Sequence, residues 1–182
     1  MLKVVLKLPL VDDLLDVSRI TLNKLNLTCE RVELKAIILS AVETSRSLID
    51  DLGHSISLTL PPTPVFLDAD FVRLSQVFSN ILNNSAKYTD TGGHITLTAE
   101  VIGAEVIVSV KDNGRGISAD ALSSIFDMFV QVDRKMQQGK GGLGIGLALV
   151  RRLVEMHNGT VECHSGGLGL GSEFIVRLPI TK

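Results

Sequence analysis

The chain has 182 residues and is 45% hydrophobic, enough for one domain with a sizeable core and a short extension. A net charge of −2 and a pI near 6.1, with one Tyr and no Trp, argue against nucleic acid as a partner. Two cysteines, Cys29 and Cys163, lie far apart outside any CxxC or Cys/His cluster, so neither a disulfide framework nor a zinc site is indicated, and the cytoplasm fits best.

The chain opens with an apolar stretch, Met1 to Val11, that lysines and a proline interrupt. It is far shorter than the ~20 apolar residues of a membrane-spanning helix, so we expect a soluble chain without membrane insertion. An amphipathic helix is predicted next, from apolar positions spaced by four and three at Leu10, Leu14, Val17 and Thr21. Its apolar stripe is compatible with packing on the same domain or on a partner.

A second helix is predicted from Leu34 to Leu52, ending near Gly53. Ser55 to Leu60 then alternates apolar and polar residues, which is typical of a strand. Three prolines punctuate the exit from this strand, and a short strand is predicted from Val65 to Leu67.

A helix predicted from Phe71 to Tyr88 carries the first chemical signal, with Asp68 or Asp70 as its N-cap. One face is apolar or small: Leu74, Val77, Phe78, Ile81, Leu82 and Ser85. The opposite face is rich in amides: Arg73, Gln76, Asn80, Asn84 and Lys87. Amides are weak helix formers, so their number on this face needs a reason. The face is either an ordinary polar surface or one that coordinates a ligand. Because an Asn oxygen is a hard neutral ligand, we predict that Asn84 binds Mg²⁺ and that Lys87 pairs with phosphate.

A β-hairpin follows, with alternating strands from His94 to Glu100 and from Glu105 to Lys111. It ends in the turn Asp112-Asn-Gly114-Arg-Gly116, which alone is compatible with a plain turn. In a functional interpretation, Asp112 accepts a hydrogen bond from the exocyclic amino group of adenine. Gly114 and Gly116 then let the backbone pass close to the base. Guanine, with a carbonyl at that ring position, would be rejected.

Phe126 and Phe129 are interpreted as core residues that anchor the next segment. That segment, Gln131 to Lys140, is polar and lacks either periodicity, which suits a flexible cover over phosphates. Its cationic residues are Arg134, Lys135 and Lys140.

A glycine run from Gly139 to Gly146 leads into an apolar helix predicted from Leu147 to His157. Glycine allows close approach, and the first N–H groups of a helix form a ready anion site, so phosphate is expected there. The run also fits the GxGxxG spelling of dinucleotide folds, but too little chain follows for the further βα units. A Walker loop is not matched, because Lys140 is followed by Gly141 instead of Ser or Thr.

Two closing strands are predicted, from Thr160 to His164 and from Ser172 to Leu178. The expected fold is an α/β (α+β) two-layer sandwich, with a mixed, mostly antiparallel sheet and helices on one face. An N-terminal helix would precede it.

In this order, the motifs resemble the catalytic domain of bacterial sensor histidine kinases. Asn80 to Thr89 is similar to that family's asparagine box, and Asp112 to Ile117 to its first glycine box. Phe126 to Phe129 is similar to the phenylalanine box, and Gly142 to Leu147 to the second glycine box. The resemblance covers roughly Val65 to Pro179 and is looser before it.

This resemblance implies a Bergerat fold, shared with the gyrase, Hsp90 and MutL ATPases, which binds Mg-ATP under a mobile lid. It implies Asn84 for Mg²⁺, Lys87 for phosphate and Asp112 for adenine, with Tyr88 beside the nucleoside. The matched boxes and the cover add further expected nucleotide contacts: Gly114, Gly116, Ile117, Phe129, Lys140, Gly142, Leu143, Gly144, Ile145, Gly146 and Leu147. Leu10 to Ile20 resembles the end of a dimerization helix, so we divide the chain into residues 1–30, helix end and linker, and 31–182, ATP-binding domain.

Hydrolysing relatives carry a Glu one helical turn before the magnesium asparagine, where this chain has Asn80. No Glu lies between Val65 and Gly93, and an amide cannot take a proton from water at neutral pH. Transfer of the γ-phosphoryl group therefore fits better than hydrolysis, with Asn80, Asn84 and Lys87 as the predicted catalytic residues.

The resemblance also implies an acceptor histidine followed by an acidic residue, on a dimerization domain, with a response regulator receiver domain downstream. None of the four histidines fits that pattern: His54, His94, His157 and His164. We expect a catalytic fragment that cannot autophosphorylate alone. Two alternatives are a Bergerat-type ATPase clamp and a regulatory nucleotide-binding module. Asn158, where the family often has Gly, is expected to tolerate a left-handed helix end.

Overall fold

The computed structural model describes residues 25–130 and 144–181. The helix predicted at Leu10 to Thr21 and the cover predicted at Gln131 to Lys140 lie outside these residues. Four helices are described: α1 (Leu34–Asp51), α2 (Phe71–Tyr88), α3 (Ala119–Leu122) and α4 (Gly146–Met156). The described strands are β1 (Glu30–Glu33), β2 (Ser55–Thr59), β3 (Phe66–Ala69), β4 (His94–Ile102), β5 (Glu105–Asp112), β6 (Thr160–His164) and β7 (Ser172–Pro179).

The main sheet has five strands in the order β2-β4-β5-β7-β6. β2 and β4 are parallel, and the other neighbouring strands are antiparallel. The predicted mixed, mostly antiparallel sheet is confirmed. The hairpin between β4 and β5 turns through Gly103 and Ala104, with a φ of +64° at Gly103.

A second sheet of two strands, β1 and β3, was only half predicted. β1 was not expected, and β3 begins and ends later than the predicted strand from Val65 to Leu67. Antiparallel pairing explains the shift, because Glu30 lies opposite Ala69 and Glu33 opposite Phe66. The carbonyl of Val65 instead accepts a hydrogen bond from the N–H of Leu34, at the start of α1.

The core lies between one face of the main sheet and the helices. Alternate residues of β4, β5 and β7 point into it, as period-two strands require, and α1, α2 and α4 supply the other side. The six residues predicted for the apolar face of α2 are all buried. None of the helices described is both long and apolar enough to span a bilayer.

Helix ends follow local chemistry. Of the two predicted N-caps, Asp70 is the one used, because its Oδ1 accepts a hydrogen bond from the N–H of Arg73. After α4, Asn158 has a φ of +58°, which confirms the expected left-handed conformation.

Candidate functional site

The amide face of α2 forms one wall of the candidate site. Asn80 and Asn84 are half-buried, whereas Lys87 and Tyr88, in the last turn, are exposed. Asn80 Nδ2 is buried and has no hydrogen-bond partner within the described residues. A buried donor without a partner is costly, so this amide is a candidate to donate to a ligand.

A second wall is the carboxylate of Asp112, at the end of β5, which is only 4% exposed. Its Oδ1 accepts hydrogen bonds from the N–H of Gly114 (2.9 Å) and of Ser172 (3.2 Å). Its Oδ2 accepts one from the hydroxyl of Ser172 (2.7 Å). The carboxylate is therefore held in one orientation.

Ser172 was missed by the sequence analysis. It lies 60 residues from Asp112 along the chain, and only the pairing of β5 with β7 brings the two together. The Asp112↔Ser172 register would have revealed the contact, but the sequence contains no signal for that register.

The turn after Asp112 is packed tightly against its surroundings. Arg115 donates its N–H to the carbonyl of Tyr88 (3.0 Å), and Gly114 accepts from the N–H of Gly171 (3.0 Å). A Cβ at Gly114 would overlap the carbonyl of Tyr88. Gly116 has a φ of +68°, and a Cβ there would overlap the carbonyl of Gly167. Tight packing against backbone carbonyls thus requires glycine at both positions, in addition to the predicted close approach of a base.

The N-terminus of α4 adjoins the amide wall. A Cβ built on Gly146 would lie 3.9 Å from both Cγ and Nδ2 of Asn80. The N-cap residue, Ile145, offers no side-chain cap, so among the described residues the first N–H groups of α4 have no capping side chain. These groups are available to an anion.

Of the other residues in the second glycine box, some lie within the described residues and some lie outside them. Ile145 is buried, and Leu147 packs partly buried against the core. Gly144 has a φ of +70°, and its carbonyl accepts a hydrogen bond from the N–H of Phe129 (2.9 Å). Lys140, Gly142 and Leu143 lie outside the described residues.

The prediction that both phenylalanines are core residues is wrong for Phe129. Phe129 is 66% exposed, and its φ of +65° is unusual for a bulky residue. Phe126 is partly buried and packs edge to face on Phe174, with ring centroids 6.4 Å apart. Ile117 also packs on the core, and its N–H donates to Oγ of Ser165 (2.9 Å).

The site therefore has three walls: the amide face of α2, the buried carboxylate of Asp112, and the start of α4. Among residues 25–130 and 144–181, no group of three His, Cys, Asp or Glu could hold a metal ion.

Residues 69–182 match the protein family described as Histidine kinase-, DNA gyrase B-, and HSP90-like ATPase. The chain is 34% identical over 177 residues to the Non-motile and phage-resistance protein of Caulobacter vibrioides, covering 95% of the chain and 21% of that relative. It is 33% identical over 170 residues to Sensor protein SrrB of Staphylococcus aureus, covering 93% of the chain and 29% of that relative. The chain thus spans less than a third of either relative.

Solved structures show the same fold. Full-length ShkA, in complex with AMPPNP, superposes with a TM-score of 0.81 at 33% identity, over 96% of this chain and 36% of that one. The catalytic domain of histidine kinase ThkA gives 0.72 at 25% identity, over 84% of this chain and 96% of that one. The histidine kinase AdeS of Acinetobacter baumannii gives 0.75 at 24% identity, over 94% of this chain and 77% of that one, which supports the fold alone.

Proposed function

Because the chain belongs to the family of histidine kinase-, DNA gyrase B- and HSP90-like ATPases, we propose that it is the ATP-binding catalytic domain of a sensor histidine kinase. The observation that carries the proposal is the buried, oriented carboxylate of Asp112, followed by a turn that packs against the C-terminal end of α2, the helix that carries the amide face. The alternatives of an ATPase clamp and a regulatory module are not favoured by the relatives.

Adenine is recognised by Asp112. The carboxylate is an acceptor, and Ser172 and Gly114 hold it so that it need not reorganise when a base binds. It accepts a hydrogen bond from the exocyclic amino group of adenine, whereas guanine would leave the buried carboxylate facing a carbonyl. Ile117, Tyr88, Phe129 and the two glycines of the turn lie around the base and nucleoside.

The phosphates bind between α2 and the start of α4. Gly144 and Gly146 leave the first N–H groups of α4 accessible, with Lys87 as a cation and Asn80 Nδ2 as a donor. Ile145 and Leu147 contribute through their packing, which holds the loop in place. Lys140, Gly142 and Leu143 complete the loop from the segment outside the described residues.

Asn84 is the magnesium ligand. It is half-buried on the same face as Asn80, one helical turn away, and a neutral amide oxygen is a suitable ligand for this hard cation. No carboxylate cluster competes for the ion within the described chain. When bound, Mg²⁺ would neutralise negative charge on the phosphates.

Phosphoryl transfer is favoured over hydrolysis because Asn80 stands where a water-activating carboxylate would be needed. The nitrogen of an acceptor imidazole forms the new bond to the γ-phosphorus, and the bond from that phosphorus to the β,γ-bridging oxygen breaks. ADP leaves with the electron pair.

The acceptor is a histidine on a dimerization domain, and a response regulator receiver domain is the downstream partner. The cytoplasm is the proposed location.

The test mixes the chain with Mg-ATP and a separate dimerization domain that carries the acceptor histidine. Acid-labile phosphate on that domain is the expected result. Release of inorganic phosphate at the same rate without any acceptor would support the clamp instead. To test the assignment of the base site, Asp112→Asn is expected to lose nucleotide binding in calorimetry while circular dichroism shows the fold retained.

A further inference from the structure

Asp70 joins three parts of the molecule at the start of α2. Its Oδ1 caps the helix by accepting from the N–H of Arg73 (3.1 Å), and its Oδ2 accepts from the N–H of Thr28 (2.9 Å). Thr28 belongs to the segment that leads into β1, in which Leu25 packs against the core. One carboxylate therefore connects this leading segment to α2.

The backbone of Asp70 connects α2 to α4. Its N–H donates to Nε2 of His157 (3.0 Å), whose ring is only 5% exposed. The other ring nitrogen, Nδ1, lies 2.7 Å from the carbonyl of Leu153. Since a backbone N–H can only donate and a carbonyl can only accept, the ring must be neutral with its proton on Nδ1. His157 is therefore a fixed acceptor at the end of α4.

The two helices contact each other again at the nucleotide site. α4 has 11 residues, so its two ends are ~16 Å apart. Its C-terminal end is held at Asp70 through His157, and its N-terminal end, at Gly146, lies against Asn80. The first half of α2 and the whole of α4 thus lie side by side in opposite directions. Close-packed helices transmit displacement, so a shift at Asp70 alters the gap between Gly146 and Asn80.

We propose that Asp70 and His157 are positioning residues that set α2 against α4 and couple the leading segment at Thr28 to nucleotide affinity. This inference rests on the proposed function, because the coupled quantity is the binding of ATP. The leading segment precedes the family match, which begins at residue 69, and this junction connects it to the matched domain in addition to the pairing of β1 with β3. Neither residue is among those proposed to contact the nucleotide.

The experiment measures the dissociation constant of AMPPNP with Mg²⁺ by calorimetry, on the full chain and two matched pairs of variants. Thr28→Pro removes the N–H that binds Asp70, whereas Thr28→Ala retains it. His157→Leu removes the acceptor for Asp70, whereas His157→Gln offers an amide oxygen in its place. We expect Thr28→Pro and His157→Leu to bind about 2- to 30-fold more weakly than the parent, and the two controls to match the parent.

Urea unfolding of each variant separates coupling from stability. If Thr28→Pro and His157→Leu unfold more easily but bind AMPPNP with the parent's affinity, the junction is only structural and the proposal is wrong. If His157→Leu does not fold, the comparison of Thr28→Pro with Thr28→Ala, at an exposed residue, still distinguishes coupling from a purely structural role. A parent chain that binds no AMPPNP would overturn the proposed function itself, a result distinct from unchanged affinities among the variants.

Discussion

The hydroxyl of Ser172 donates a hydrogen bond to Oδ2 of Asp112, with 2.7 Å between the two oxygens. This bond joins the first residue of β7 to the last residue of β5, which lie directly opposite each other in the strand register. It holds a buried carboxylate that the proposed function assigns to adenine recognition. The charge is tolerated in the interior because three donors satisfy it.

Ser172→Ala removes one donor from this carboxylate. We expect a loss of about 1.5–3 kcal/mol in the free energy of unfolding, since the lost bond is to a charged group. AMPPNP affinity is expected to fall as well, because Oδ2 loses its donor and only the two backbone N–H groups at Oδ1 still hold the carboxylate. Urea unfolding and calorimetry measure the two effects.

Ser109→Ala is the matched control for that change. Ser109 also donates its hydroxyl to a carboxylate, Oε1 of Glu173 (2.6 Å), but both residues are only half-buried. Water can replace that bond, so the loss is expected to stay below about 1 kcal/mol. Equal losses for the two variants would contradict the importance assigned to burial at Asp112.

Gly116→Ala tests the packing of the turn. Gly116 has a φ of +68° and faces the carbonyl of Gly167, so an added methyl meets both backbone strain and a clash. Gly103→Ala isolates the strain, because Gly103 has a φ of +64° and nothing within 4 Å of its added Cβ. We expect a cost of about 1–2 kcal/mol for Gly103→Ala and clearly more for Gly116→Ala in urea unfolding. A larger cost for Gly103→Ala than for Gly116→Ala would show that the loop between β6 and β7 moves away from the added methyl group at little cost.

Phe126 and Phe129 are expected to differ in their contribution to stability. Phe126→Ala removes a ring that packs on Phe174, so it should cost about 2–3 kcal/mol, somewhat less than a fully buried ring. Phe129→Ala removes the ring of a residue that is 66% exposed and should change stability by less than about 0.5 kcal/mol. Thermal unfolding of both variants provides the comparison, and similar losses would mean that Phe129 packs in solution.

The two cysteines are expected to react at different rates. Burial, and after it the Asp112 carboxylate, raises the pKa of the Cys163 thiol to about 12, and this side chain packs on the core. Cys29 is exposed, although desolvation and the carboxylates of Asp68 and Asp70 also raise its pKa. Iodoacetamide at pH 8 should therefore alkylate Cys29 first and Cys163 only on unfolding. Peptide mass spectrometry identifies the site, and Cys29→Ala should remain unlabelled while folded.

The raised pKa of Cys163 also predicts a loss of stability in alkaline solution. In the unfolded chain the thiol ionises around its ordinary pKa of 9.0, whereas in the folded chain it keeps its proton until about 12. The contribution of Cys163 to folding stability is thus full below pH 9.0 and decreases as the pH rises toward 12, because the unfolded state then binds fewer protons. Cys163→Ala should flatten this decrease in urea titrations between these pH values, and an unchanged slope would contradict it.

Local patterns were sufficient for much of the fold. The period of α2 predicted both its limits and its two faces, because a helix of 18 residues repeats its apolar spacing several times. The hairpin of β4 and β5 was predicted from alternation and a glycine turn, which are also local. β1 was not, because four residues without a distinctive period become a strand only by pairing with β3.

The residue types of the site were thus evident along the chain, since an amide-rich helix face, a DxGxG turn and a glycine run each express their chemistry within a few positions. The three-dimensional arrangement decided which groups complete that site. Ser172 reaches Asp112 from 60 residues away, Phe129 faces outward, and Asp70 meets His157 across 87 residues. Such contacts depend on strand register and helix packing, which arise from the whole core and leave no local pattern in the sequence.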